Sequence, residues 1–148
     1  MSTLEALVFL GNVASSLFMA GLIWTIQVVH YPLFAKVGAE GFIDYESTHQ
    51  RLITYIVAPA MFAELITSVL LIWIRPEAIP LSLVIAGIVL VAINWLSTAL
   101  IQMPLHLVLS KGYDRRAIRR LVRSNWLRTA AWSAHGLVVC AMVIALAR

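Results

Sequence analysis

Apolar residues dominate four long stretches of the chain, and polar segments containing proline or glycine separate these stretches. Each apolar run is long enough for an α-helix to cross ~30 Å of hydrocarbon, which takes about 20 residues. The runs cover about residues 4–29, 52–74, 81–106 and 126–146. The pattern predicts one domain, residues 1–148, with an all-α fold: an integral membrane four-helix bundle in antiparallel up-down order.

Local signals predict where these helices begin and end. Ser2 and Glu5 form a capping box that begins the first helix. Pro32 has no N–H group and disfavours helical geometry at the residue before it, so we expect the first helix to end near residue 29. The second helix should begin between residues 41 and 44 and end at about Ile74. Asp114 is suited to cap a basic segment that leads into the fourth helix.

The composition supports membrane insertion and argues against a separate water-soluble domain. Hydrophobic residues make up 61% of the chain and charged residues 12%, and the mean hydropathy is +0.91. This balance excludes a water-soluble domain of this length. Any chemistry must therefore take place between the helices. Cys140 is the only cysteine, so an internal disulfide is excluded and a packing role is expected.

Positive charge gathers between the third and fourth apolar runs, where six basic residues accompany a single acid, Asp114. The basic residues are Lys111, Arg115, Arg116, Arg119, Arg120 and Arg123. The positive-inside rule predicts that the Arg115–Arg123 segment is cytoplasmic and that both termini lie outside the cell membrane. The residues at helical spacing, Arg115, Arg119 and Arg123, should face the anionic headgroups of the bilayer. The net charge of +4 is explained in this way and does not predict nucleic-acid binding.

Polar residues recur at helical spacing inside the apolar runs. In the fourth run, Asn125, Arg128, Trp132 and His135 fall at i, i+3, i+7 and i+10, which is one face of a helix. Comparable groups lie within or just beyond the other three runs: Gln27, His30 and Tyr31; Glu46, His49 and Glu64; Asn94, Gln102 and His106. Such groups are costly in contact with lipid, so we expect them to face one another inside the bundle.

These residue types suggest particular roles in a buried site. His30 and His49 are candidate catalytic bases or ligands, Glu64 is a candidate proton donor or acceptor, and Arg128 is a candidate anion-stabilising group. Contacts with a cofactor or ligand are predicted for Gln27, Tyr31, Gln102, Trp132 and His135.

A metal site is predicted from His30, Glu46, His49 and His106, whose side chains suit iron, copper or zinc. The chain has one Glu-x-x-His, formed by Glu46 and His49, where carboxylate-bridged di-iron bundles use two. Haem held between His30 and His106 is the weaker alternative.

Helix geometry also predicts one specific contact. At about 1.5 Å per residue, Glu64 and His135 lie at a similar depth near the middle of the membrane. If they meet, the low dielectric should hold them as a close ion pair or as a neutral acid bonded to imidazole.

The leading functional hypothesis is a membrane-bound oxidoreductase, metal-assisted or cofactor-free, that acts on a small lipophilic molecule inside the bundle. Two other classes of protein function stay open. One is a haem- or quinone-binding electron carrier. The other is a small transporter or assembly subunit, possible as an oligomer, in which Glu64 serves proton coupling or helix docking.

Two short motifs resemble a known family. His30, Tyr31 and Pro32 follow a polar first span, and Asn125, Trp126 and Arg128 form Asn-Trp-x-x-Arg at the start of the last span. With four spans in about 150 residues, the chain resembles the small membrane proteins grouped with anthrone oxygenases, most of which have no known function. The resemblance implies oxygenation of a lipophilic substrate, such as a polycyclic one, within the bundle.

Overall fold

The computed structural model describes residues 1–147 and confirms the all-α, four-helix prediction. The helices are α1 (Thr3–Val37), α2 (Phe42–Leu70), α3 (Leu81–Leu109) and α4 (Arg115–Leu146), and residues 1–147 contain no strand. Each helix is long and apolar enough to cross a membrane. The chain therefore has the form of a multi-pass membrane protein. The antiparallel order and the orientation in the membrane stay predictions.

Both predicted helix caps are present. The Ser2 Oγ accepts a hydrogen bond from the Glu5 N–H at 3.2 Å, and the Ser2 N–H donates to Glu5 Oε2 at 2.6 Å. One carboxylate oxygen of Asp114 accepts from the N–H groups of Arg116 and Ala117, at 2.7 and 3.1 Å. Asp114 therefore begins α4, in which the basic segment and the fourth span form one continuous helix.

The prediction that Pro32 ends the first helix was wrong. Residues Ile26–His30 form a π-helical turn, in which the Tyr31 N–H bonds to the Ile26 carbonyl, and α1 continues to Val37. Pro32 lies in the first turn after this segment, where a missing N–H is tolerated. The same arrangement occurs in α3, where the π-helical turn Thr98–Gln102 precedes Pro104. Wide turns of this kind are frequent at functional sites.

The second helix is shorter than expected. It ends at Leu70 rather than Ile74, because the N–H groups of Trp73 and Ile74 both bond to the Leu70 carbonyl and close the chain into turns.

Polar side chains lie inside the bundle and large apolar ones lie outside. Glu64 and Asn94 are fully buried, whereas Leu100 and Leu137 are 70% and 73% exposed. Two clusters of buried apolar residues surround the polar interior, one around Phe34 and Trp132 and one around Phe9, Leu71 and Met142. This distribution suits a bundle whose outer surface meets lipid.

Candidate functional site

Five helical residues predicted from the sequence form a compact group, which we call the histidine cluster: His30, Tyr31, Glu46, His49 and His106. His30 Nε2 and His49 Nδ1 lie 2.8 Å apart. His106 Nδ1 lies 2.6 Å from Glu46 Oε1, and its Nε2 lies 3.2 Å from the Tyr31 hydroxyl. The cluster therefore contains two hydrogen-bonded groups, the pair His30–His49 and the chain Glu46–His106–Tyr31.

Local structure places these side chains. His30 is the last residue of the π-helical turn in α1 and Tyr31 is the next residue. The buried Phe34 ring packs edge-on against His30 and His49, with ring centroids 5.4 and 5.0 Å apart. The His49 and His106 rings are adjacent, with centroids 5.7 Å apart. Close packing on an aromatic ring restricts how the imidazoles turn.

The structure brings together all four predicted metal ligands, yet their donor atoms do not converge on one point. His30 and His49 bond to each other, and both ring nitrogens of His106 are engaged by Glu46 and Tyr31. Within residues 1–147, no group of three or more His, Cys, Asp or Glu side chains is arranged to hold a metal ion. The metal prediction is therefore unsupported. Haem ligation by His106 would also require it to give up one of these bonds.

A buried arginine lies beside the cluster without an acidic partner. Arg128 is 4% exposed, and its Nη1 donates to Asn125 Oδ1 at 3.1 Å. Its guanidinium lies 4.9 Å from the centroid of the Trp132 ring and faces the Tyr31 hydroxyl. No carboxylate of residues 1–147 lies within ion-pair distance of it. The guanidinium thus has an amide, a phenol and an indole ring as its neighbours.

Gln27 completes this part of the interior. Its Oε1 accepts from Asn125 Nδ2 at 2.9 Å, and its Nε2 donates to the Val122 carbonyl at 3.2 Å. Gln102, which ends the other π-helical turn, accepts from Ser97 at 2.9 Å and donates to Ser124 at 3.3 Å. Gln27 therefore joins α1 to the first half of α4, and Gln102 joins α3 to the same part of α4.

Deeper in the bundle, Glu64 and His135 meet as predicted. Glu64 Oε1 lies 2.8 Å from His135 Nδ1, and Trp132 Nε1 donates to Glu64 Oε2 at 2.9 Å. Both carboxylate oxygens are thus engaged. The sequence did not predict Trp132 as a donor to Glu64, although its position three residues before His135 on the same helical face was a usable signal.

Gly87 on α3 leaves room for this pair. A Cβ atom built on Gly87 would lie 3.0 Å from His135 Nε2, whereas one on Gly21 would meet no atom within 4 Å. Gly87→Ala should therefore push the His135 ring away from Glu64 and lower the free energy of unfolding by about 1 to 2 kcal/mol. Gly21→Ala is the matched control and should leave stability unchanged or slightly raised. Equal effects of the two variants in denaturation experiments in bicelles would contradict the crowding at Gly87.

Two of the predicted site residues line an open cleft. A cleft of about 530 Å³ lies between α1 and α2, and His30 and His49 form part of its wall together with apolar residues such as Ile26, Ile53 and Ile56. The other predicted residues do not line it: Gln27, Tyr31, Glu46, Glu64, Gln102, His106, Arg128, Trp132 and His135. Their roles in catalysis or cofactor binding stay predictions.

Sequence reasoning missed one contributor to the site, Gln50. Gln50 Nε2 donates to Glu46 Oε1 at 2.9 Å, and its position four residues after Glu46 was the available signal. Asn12, near the start of α1, donates to Ser68 Oγ at 2.8 Å near the end of α2. Asn12 therefore extends the polar interior beyond Glu64.

These features define a class: a helical multi-pass membrane protein with a hydrogen-bonded polar interior and a cleft that two histidines line. The chain matches no protein-family model, no curated protein and no solved structure. The resemblance to the anthrone oxygenase group stays a prediction.

Proposed function

We propose that this protein binds a small lipophilic molecule in the cleft between α1 and α2 and exchanges a proton with it through the His30–His49 pair. The observation that carries the proposal is the cleft itself, whose lining is mostly apolar, includes Asp44 and Thr48, and contains two imidazoles bonded at 2.8 Å. Apolar walls with few polar groups are typical of sites for small organic ligands. The ligand we expect has an apolar body and one acidic hydroxyl, as in a phenol or an enol.

The bonded pair can accept and release a proton in the same step. If His30 Nε2 carries the shared proton, His30 Nδ1 is an acceptor and His49 Nε2–H is a donor. A proton taken up at His30 then shifts through the pair and leaves from His49. The opposite tautomer reverses the direction. Imidazole suits this role because one ring nitrogen can accept a proton while the other donates one.

The neighbouring Glu46–His106–Tyr31 chain packs directly beside the pair. Glu46 is fully buried, and the ring of its partner His106 lies 5.7 Å from that of His49, centroid to centroid. Arg128 acts on the cleft only indirectly, through Tyr31.

Oxidation of the bound molecule is the second candidate function, and the same pair favours it. Removal of a proton from a phenol or enol raises its electron density, which makes the molecule easier to oxidise. In the oxygenation that the family resemblance implies, the pair would remove this proton and dioxygen would be the oxidant.

The proposal can be tested with a naphthol whose absorption differs between its neutral and ionised forms. In bicelles, the parent protein should bind the naphthol and increase its ionised fraction. Ile56→Trp, which fills the cleft, should abolish binding, whereas Ile66→Trp on the outer face of the same helix should not. His30→Ala and His49→Ala should retain binding in part and lose the ionised form.

Two outcomes would count against the proposal. Unchanged binding in Ile56→Trp would show that the naphthol does not occupy the cleft. An unchanged ionised fraction in both histidine variants would show that the pair does not take the proton. Dioxygen consumption by the parent protein and its loss in His30→Ala would support oxidation in addition to proton transfer.

A further inference from the structure

A second concave site lies on the opposite side of the polar interior, between α3 and α4. This groove, about 660 Å³ in volume, follows the π-helical turn of α3 and the basic first half of α4. Leu100, Ile101 and Leu105 line its α3 side, and Arg120 and Arg123 line its α4 side. One wall is therefore apolar and the other is cationic.

The two arginines of the groove have no acidic partner in the described part of the chain. No ion pair within residues 1–147 involves either of them. Asp114 is the only acidic side chain from residue 81 to residue 148. Hydrogen bonds from the N–H groups of Ala117 and Arg116 lower the pKa of Asp114, and the positive charges that act on it are those of Arg116 and Arg119. The groove therefore has positive charge without an internal counterion.

The groove has fixed walls because a side-chain contact joins the two helices at this level. Gln102 Nε2 donates to Ser124 Oγ at 3.3 Å, and Ser124 itself lines the groove. Pro104 follows the π-helical turn, so the α3 wall differs from a regular helix surface. These constraints separate the groove from the rest of the basic segment, where Arg115, Arg116 and Arg119 lie outside the lining.

We propose that this groove binds one anionic phospholipid molecule. Its phosphate lies between Arg120 and Arg123, because guanidinium groups bind phosphate oxygens with paired hydrogen bonds. One acyl chain lies along Leu100, Ile101 and Leu105, so the apolar wall and the cationic wall each meet the matching part of the lipid. A free phosphate would leave the apolar wall uncovered. This lipid site is independent of the function proposed for the cleft.

The proposal refines the expectation from the sequence, which placed diffuse headgroup contacts on Arg115, Arg119 and Arg123. Of these three residues, only Arg123 lines the groove, and Arg120 takes the place of the other two. The arginines of the groove are spaced i, i+3 along α4, which puts them on one face of the helix.

The test measures lipid retention by the purified full-length protein with native mass spectrometry. Phosphatidylglycerol and phosphatidylcholine with identical acyl chains are the probes. The parent protein should retain one phosphatidylglycerol in preference to phosphatidylcholine. The double variant Arg120→Gln/Arg123→Gln should bind phosphatidylglycerol roughly ten- to thirtyfold more weakly, as expected for the loss of two basic contacts.

The matched control is Arg115→Gln/Arg116→Gln, which removes the same charge outside the groove and should change affinity less than twofold. Equal weakening by both double variants would overturn the proposal in favour of diffuse attraction. Competition by glycerol phosphate at concentrations similar to the lipid would identify a phosphate site instead. Retention of the lipid by Arg120→Gln/Arg123→Gln, with helicity unchanged, would also overturn it.

Discussion

His135→Leu should lower the free energy of unfolding by about 1 to 3 kcal/mol, the range for a buried polar group that loses its partner. The variant leaves Glu64 fully buried with the Trp132 indole as its remaining partner. The measurement is reversible unfolding in bicelles, with helicity as the signal.

Adding Glu64→Leu to His135→Leu should recover part of this loss, because the isolated acid is gone. Recovery should stay incomplete, since Trp132 Nε1–H then has no acceptor in place of Glu64 Oε2. A double-mutant cycle measures the coupling between the two residues. The control cycle uses Ile66 and Leu137, which lie on the same two helices but face outward. Coupling near zero for Glu64 and His135 would mean that the 2.8 Å contact adds nothing to stability.

The contact between Glu64 and His135 could be predicted because it depends on quantities that a sequence contains. Helical spacing identified the inward faces, and the rise per residue placed both residues at one depth. The same reasoning brought His30, Glu46, His49 and His106 to one end of the bundle. Polar groups are costly in contact with lipid and must face the interior of the bundle, so their positions are strongly constrained.

The turn at Pro32 could not be predicted in the same way. A proline signals a missing N–H, but either an end to the helix or a wider turn satisfies the backbone. The choice depends on packing, and here Gln27 and Tyr31 both lie inside the bundle because α1 continues past the π-helical turn. The end predicted near residue 29 ignored this tertiary constraint.

The cleft could not be predicted from the sequence because it, too, depends on tertiary packing. Its volume depends on how far α1 and α2 separate beside Ile53 and Ile56, which no periodicity encodes. The pattern therefore predicted eleven buried polar residues as one site, whereas the structure gives most of them contacts with each other and places His30 and His49 in the wall of the cleft. Polar periodicity identifies the interior of a membrane bundle better than it identifies a binding site.

Variants of Arg128 test whether a buried charge in this polar interior serves stability or function. A buried guanidinium without a carboxylate partner carries a desolvation penalty of several kcal/mol, which its contacts with Asn125 and Trp132 offset only in part. Its Nε has no hydrogen-bond partner within residues 1–147. If the charge serves function rather than stability, removing it without leaving a cavity should not destabilise the fold.

Arg128→Met should therefore leave the free energy of unfolding unchanged or raise it by about 1 to 3 kcal/mol, because methionine fills similar space without a charge. Arg128→Lys keeps the charge but loses the planar group that bonds Asn125 and stacks on Trp132, so it should be less stable than the parent protein. We expect the order Met, parent, Lys from most to least stable in bicelle unfolding. Arg119→Met on the exposed face of α4 is the control for losing a positive charge. The reverse order would show that Arg128 stabilises the fold, and the case for a functional charge would fail.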